Sequence, residues 1–284
     1  MDYVSPKSTT EASEALSKTG AYALAGGTDL LVKLKMRTAT PSIVVDIKSV
    51  PKIQSIEPHE TGWWIGAATS CSEISEHEAL KNDWPGVVEA LSLIGSTQIQ
   101  GRASLGGNLC NASPAADSIP ALIAAGATCE VASINGERTV AVEDVVTSPG
   151  KTCLNRGEFV VGFNLPKPGK RSGDAYLRMI PRTEMDIAIV GAGVCIEIDK
   201  DGKCKSLRVA LGAIAPTQLL LAEAEEIFLG HTPNEERINR LVQIAEEACK
   251  PIDDKRGTIE YRTKVAGVLT KRAFSIALER AMNK

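Results

Sequence analysis

The amino-acid sequence predicts an α+β chain built in two parts. Three observations carry this expectation. Up to residue 170, short strand-like apolar runs alternate with short capped helical segments. A Pro- and Gly-rich stretch, Pro166-Lys167-Pro168-Gly169-Lys170, then reads as a linker. Beyond it, longer strand candidates give way to helical segments. With 284 residues, 43% of them hydrophobic, the chain has enough apolar mass to fill two cores.

Ser8-Thr9-Thr10-Glu11 has the form of a capping box, and Ala12, Ala15 and Leu16 behind it form an apolar stripe that ends at Gly20. Ala21 to Ala25 reads as a strand broken at Gly26-Gly27, and Asp29 to Lys35 resumes with helical spacing. Ile43-Val44-Val45 and Trp63 to Ala67 are strand candidates, Ser70-Cys71-Ser72-Glu73 opens a second capped helix, and Val87 to Leu93 is helical. Residues 94 to 120 keep no period and read as one long ordered loop, punctuated by Ile94, Ile99, Leu105, Leu109 and Ile119. Further strands are expected at Cys129 to Val131, Thr139 to Ala141 and Phe159 to Leu165, and beyond the linker at Ala175 to Met179, Ala188 to Ile198 and Leu207 to Leu211. Helices are expected at Leu219 to Phe228, Asn234 to Cys249 and Ile259 to Met282, with Tyr261, Val265, Val268, Leu269 and Ile276 on one face of the last.

Seven scattered cysteines without a C-x-x-C pair argue against disulfides, zinc or an iron–sulfur cluster in this chain. The N-terminal residues lack the basic start and apolar run of a signal peptide, and no stretch has the length of a membrane span, so the expected location is cytoplasmic. A net charge of −3 with mixed signs offers no footprint for nucleic acid. His59, His77 and His231 lie in polar stretches and suggest neither a metal site nor acid–base chemistry.

Two segments carry chemistry. In Ala25-Gly26-Gly27-Thr28-Asp29, adjacent glycines between a strand and a helix allow several backbone N–H groups to converge on an anion such as a pyrophosphate; an ordinary tight turn is the plainer alternative. The segment is neither G-x-G-x-x-G nor a Walker loop. In Ser104-Leu105-Gly106-Gly107-Asn108 through Asp117, a second glycine pair allows close backbone approach, while Ser104, Asn108, Asn111, Ser113 and Asp117 offer donors and acceptors. Two such segments in one domain lean toward a large phosphate-bearing cofactor.

These segments, with Leu30-Leu31-Val32-Lys33, Ile94-Gly95-Ser96, Met185 to Val190 and Glu260 to Leu269, resemble the FAD-binding medium subunits of the molybdenum hydroxylases, the xanthine dehydrogenase and carbon monoxide dehydrogenase type. The resemblance spans nearly the whole chain. It implies a two-part FAD-binding domain of the vanillyl-alcohol-oxidase-like type over residues 1–170, with subdomains at about 1–56 and 57–170, and a small C-terminal domain of the carbon monoxide dehydrogenase flavoprotein type over 171–284. It also implies noncovalent FAD held at Ala23, Leu24, Ala25, Gly26, Gly27, Thr28, Asp29 and Leu30 around the phosphates, at Ser104, Gly107, Asn108 and Asp117 in the second loop, and at Ile94, Val160 and Arg178 along the sides, with Ile187 against the flavin ring. It implies no catalytic residue and no metal ligand in this chain. A molybdenum–pterin cofactor and [2Fe–2S] clusters are expected on a large and a small partner subunit, in a dimer of heterotrimers. Electrons would leave to a quinone, oxygen, NAD or another carrier.

Departures sharpen the expectation. Where the relatives that use NAD carry an aromatic and an acidic residue beside the flavin, Leu93 and Met185 stand here, which weakens the case for NAD. Two other readings stay open: a free-standing flavin oxidoreductase, for which residues 171–284 are short of a substrate domain, and an assembly subunit without flavin.

Overall fold

The computed structural model describes residues 1–284. Strand β1 (Asp2–Val4), helix α1 (Thr9–Leu16), strand β2 (Ala21–Leu24), helix α2 (Leu30–Lys35) and strand β3 (Ile43–Asp46) form a small parallel sheet in the order β1-β3-β2. The Ser8 hydroxyl caps α1 by accepting from Glu11 N at 3.1 Å, and the Glu11 carboxylate accepts from Lys7 N at 2.8 Å. Every residue of the central strand β3 is buried, as expected for the middle of a parallel sheet. Helix α2, by contrast, has no buried residue, and Leu31, Val32 and Met36 are exposed around it.

The second layer is an antiparallel sheet in the order β4-β5-β10-β6-β7, from β4 (Ile56–His59), β5 (Gly62–Gly66), β6 (Thr128–Ser133), β7 (Gly136–Ala141) and β10 (Phe159–Pro166), with β8 (Val146–Ser148) and β9 (Lys151–Thr152) as a separate hairpin. Between β5 and β6 run α3 (Cys71–Glu76), α4 (Glu78–Asp83), α5 (Pro85–Ser92), α6 (Thr97–Gln100), α7 (Leu105–Cys110) and α8 (Ser118–Ala124). The expected long loop is thus three short helices. Their period is invisible in the sequence because α7 contains two glycines and α8 a proline in its first turn; Ser104 as cap, accepting from Gly107 N at 3.3 Å, and complete burial of α8 hold them instead.

In the C-terminal part, β11 (Ser172–Met179), β12 (Val190–Ile198), β13 (Cys204–Gly212) and β14 (Leu219–Leu220) form an antiparallel sheet with α9 (Ala222–Phe228), α10 (Glu235–Glu247) and α11 (Ile259–Met282). The strand expected from Ala188 begins at Val190, and the helix expected from Leu219 begins at Ala222 because Leu219 and Leu220 pair with β13. The buried face of α11 also differs from the one expected. Arg262, Ala266, Leu269, Ala273, Ala277 and Ala281 face inward, while Tyr261 and Val268 are exposed. Alanine is selected where the helix lies very close to β11, since a Cβ on Gly173 would stand 2.2 Å from the Ala277 carbonyl, while Leu269 and Phe274 fill the core beside it. Buried Arg262 is matched by donation to Ile189 O (3.0 Å) and Asp254 (2.7 Å).

Strand β12 faces two ways. Ala192, Val194 and Ile196 belong to the core under α11, while a Cβ on Gly193 would stand 2.5 Å from the Pro120 carbonyl in α8. A polar seam reinforces this joint. Asp174 in β11 accepts from Val87 N at 3.1 Å in the first turn of α5, whose own cap residue Trp84 gives no side-chain bond, and Arg280 donates to Asp174 O at 2.6 Å while pairing with Glu89. Burial pushes Asp174 up to about 7, against the pull of the Gly86 and Val87 N–H groups. A buried carboxyl raised in the folded state binds its proton more tightly there than when unfolded. Its contribution to stability therefore falls as pH climbs from 3.8 to about 7. Urea unfolding midpoints measured across that range should decline relative to those of Asp174→Asn, which cannot titrate, whereas Asp174→Ala should cost about 1–3 kcal/mol by leaving Val87 N unpaired.

Candidate functional site

At the end of β2 the chain turns through Ala25 to Asp29 into α2. A Cβ on Gly26 would stand 1.6 Å from the Arg102 carbonyl oxygen, so only glycine lets the first turn rest on the backbone that leads into the second loop. Gly27 follows at φ +83°, in the left-handed region. Lys48, paired with Asp46 at 2.6 Å, donates to Ala25 O at 3.1 Å and pins the turn from below. The backbone N–H groups of Gly26, Gly27, Thr28, Asp29 and Leu30 donate to no acceptor within the protein. Five such donors on one bend form an anion-binding concavity.

Facing this bend is the segment from Ala103 to Asn111. Cys71 N donates to Ala103 O at 2.8 Å and Gly106 N to Ala67 O at 2.9 Å. A Cβ on Gly106 would stand 2.7 Å from the Ala67 carbonyl, so the second glycine pair also serves close approach. Ser118 donates its hydroxyl to Asn108 Oδ1 at 2.7 Å, which orients the Asn108 amide nitrogen as a donor.

Between the two lies a cleft of about 390 Å³. Ala23, Ala25, Gly26, Gly27, Thr28, Asp29, Leu30, Ile94, Ser104, Gly107, Asn108 and Val160 line it together. Its walls also include Asn111, which the second segment offered as a donor and acceptor, and Tyr22, Lys33, Ile47, Ala67, Cys110, Leu154, Glu158 and Phe159, which sequence reasoning did not select for the site. Lys33 lies four residues beyond the first chemistry-bearing segment, so polarity near a glycine pair was a usable signal. Ile47, Ala67, Leu154, Glu158 and Phe159 carried none, since only folding brings them there. Amide donors on the glycine bend and aliphatic and aromatic walls elsewhere suit a ligand that joins an anionic group to flat ring systems.

The remaining expected residues lie outside these walls. Leu24 packs behind Gly27 with Leu31. Asp117 is buried and turned toward the C-terminal domain, where Arg178 Nη1 donates to it at 2.7 Å and Tyr176 OH at 3.0 Å. Burial raises Asp117 to about 6, with Arg178 and Tyr176 pulling the other way. Arg178 Nε is buried without a hydrogen-bond partner, a donor open to one further acceptor. Ile187 is not strand core. It is 51% exposed on a turn whose Met185, at φ 53°, donates its N–H to Gly95 O at 3.4 Å beside Ile94.

Residues 1–168 match the family described as the FAD binding domain in molybdopterin dehydrogenase, and residues 175–277 match the CO dehydrogenase flavoprotein C-terminal domain. The chain belongs to the FAD-binding subunits of the molybdenum hydroxylases. The carbon monoxide dehydrogenase medium chain of Afipia carboxidovorans is 34% identical over 99% of this chain and 98% of that one. A xanthine dehydrogenase FAD-binding subunit of Escherichia coli O157:H7 is 30% identical over 92% of this chain and 90% of its own length. Among solved structures, the carbon monoxide dehydrogenase of Hydrogenophaga pseudoflava superposes with a TM-score of 0.94 at 30% identity, covering 99% of this chain and 98% of that one. Such relatives are oxidoreductase subunits, and FAD is the cofactor of this family's domain.

The residues present fit that group: the bend offers free amides for a diphosphate, and the glycine contacts hold the two segments together around the cleft. Gly26→Ala must separate the two segments. Overpacking of this kind costs about 1–3 kcal/mol, so the variant should bind FAD about ten- to hundredfold more weakly, measured by flavin titration, with the far-UV circular dichroism of the wild type.

Proposed function

We propose that this chain is the electron-transferring flavin subunit of a molybdenum hydroxylase complex. The observation that carries the reading is the run of five unpartnered amides at residues 26 to 30, facing a second glycine segment across an apolar-walled cleft. In this reading the FAD diphosphate rests on Gly26, Gly27, Thr28, Asp29 and Leu30, with Ala23, Leu24 and Ala25 shaping the bend. Ser104, Gly107 and Asn108 meet the cofactor from the facing segment. Ile94 and Val160 wall it from the side. Asp117 acts through Arg178, which it holds in place beside the cofactor. Ile187, on its turn, covers one face of the flavin ring and excludes water there.

When bound, FAD supplies a carrier that takes electrons from iron–sulfur clusters and hands them to an external acceptor. The clusters and the molybdenum–pterin site belong to a small and a large partner subunit, and the assembly is a dimer of heterotrimers in the cytoplasm. No helix of this chain is long and apolar enough to cross a membrane. Residues 1–170 and 171–284 are read as the FAD-binding and C-terminal domains. Leu93 and exposed Met185 stand where NAD-using relatives carry an aromatic and an acidic residue, which weakens the case for a nicotinamide among the possible acceptors, a quinone, dioxygen, NAD or another carrier.

In the assembled complex, a hydroxylase substrate such as a purine, an aldehyde, an N-heterocycle or carbon monoxide should bleach the visible flavin band, whereas the FAD-loaded full chain alone should stay oxidised. Bleaching of the chain alone by a small molecule would identify a free-standing oxidoreductase instead.

A further inference from the structure

The charges that line the cleft are Asp29, Lys33 and Glu158. Glu158 is neutralised by Arg138 at 2.8 Å, and that contact holds its carboxyl down at about 2. Lys33 is the one cation on the walls, and it makes no salt bridge. Its ammonium instead donates to Asn111 Oδ1 at 2.8 Å, and the amide of the same asparagine donates to Asp29 Oδ1 at 3.3 Å. This chain of bonds links two walls of the cleft, from the helix after the first glycine pair to the residue that caps α7. Its middle member is a neutral amide, so Lys33 is positioned without being neutralised.

We propose that Lys33, held in place by Asn111, supplies the countercharge for the cofactor's diphosphate. The inference rests on the reading of the cleft as the FAD site and adds to it the group that answers the ligand's charge. Backbone amides carry only partial positive charge. A dianionic diphosphate enclosed beside two carboxylates, one paired with Arg138 and one with Asn111, needs a full cation nearby, and Lys33 is the one available. An exposed ammonium is screened by salt, which makes its contribution measurable as a salt dependence.

The test uses the full chain, alone and with its partner subunits, titrated with FAD and separately with ADP, which has the diphosphate but no flavin. Lys33→Met removes the charge, Lys33→Arg keeps it, and Asn111→Asp cancels it in place; none touches the core, because α2 has no buried residue and Asn111 is only part-buried. Lys33→Met and Asn111→Asp should weaken both ligands about three- to tenfold at low salt, Lys33→Arg should stay within about twofold of the wild type, and the differences should close at about 1 M salt. Equal affinity of wild type and Lys33→Met, a loss indifferent to salt, or a loss for FAD without one for ADP would overturn the assignment of Lys33 alone. A wild-type chain that takes up neither ligand in either form would overturn the FAD site itself, and the proposal with it.

Discussion

The contact of Gly26 with the Arg102 carbonyl is the constraint from which the rest of the site follows. Two segments nearly eighty residues apart in sequence meet there with no side chain between them, and a single methyl group at that position would be driven into backbone. Once they touch, the free amides of residues 26 to 30 and the donors of the second segment converge on one space. Lys48 and Asp46 pin the bend from below, and Gly106 against Ala67 fixes the facing segment to the second sheet. The cleft is therefore built by backbone proximity, which is rigid, more than by long side chains, which lose rotamer entropy when a ligand binds.

The C-terminal part contributes to this geometry from behind. Asp117 reaches across to Tyr176 and Arg178, and Asp174 reaches back to cap α5, the helix that leads to Ile94. Both carboxyls are held above their ordinary range by burial, so the joint between the two parts is electrostatically costly and is retained because each group has its hydrogen-bond partners. Glycines 193 and 212 let α8 lie directly on the C-terminal sheet. A displacement of that sheet would carry with it Arg178 and the turn bearing Met185 and Ile187.

Much of this was legible in the sequence because local rules coincide with the fold. Ser8 and Ser70 cap helices as their spacing implies, and the Gly26-Gly27 break between strand and helix needs no tertiary information. Residues 94 to 120 were opaque because glycine and proline erase the helical period, while burial of Leu105, Leu109 and Ile119 sustains helices that propensity would not. The inward face of α11 was misjudged for a related reason: hydrophobicity favoured Val268 and Tyr261, but close packing on Gly173 selects alanine. The apolar walls of the cleft, Ile47, Ala67 and Phe159, come from three separate parts of the chain and have no local signature.

The central claim is that a single FAD lies in the cleft with its diphosphate on the first glycine bend. An experimental structure of the assembled complex with flavin bound tests it most directly. The account predicts diphosphate oxygens within hydrogen-bonding distance of the main-chain nitrogens of residues 26 to 30, with the flavin end toward Arg178 and Ile187. Flavin seated anywhere else on this chain, or carried by a partner subunit, would contradict it.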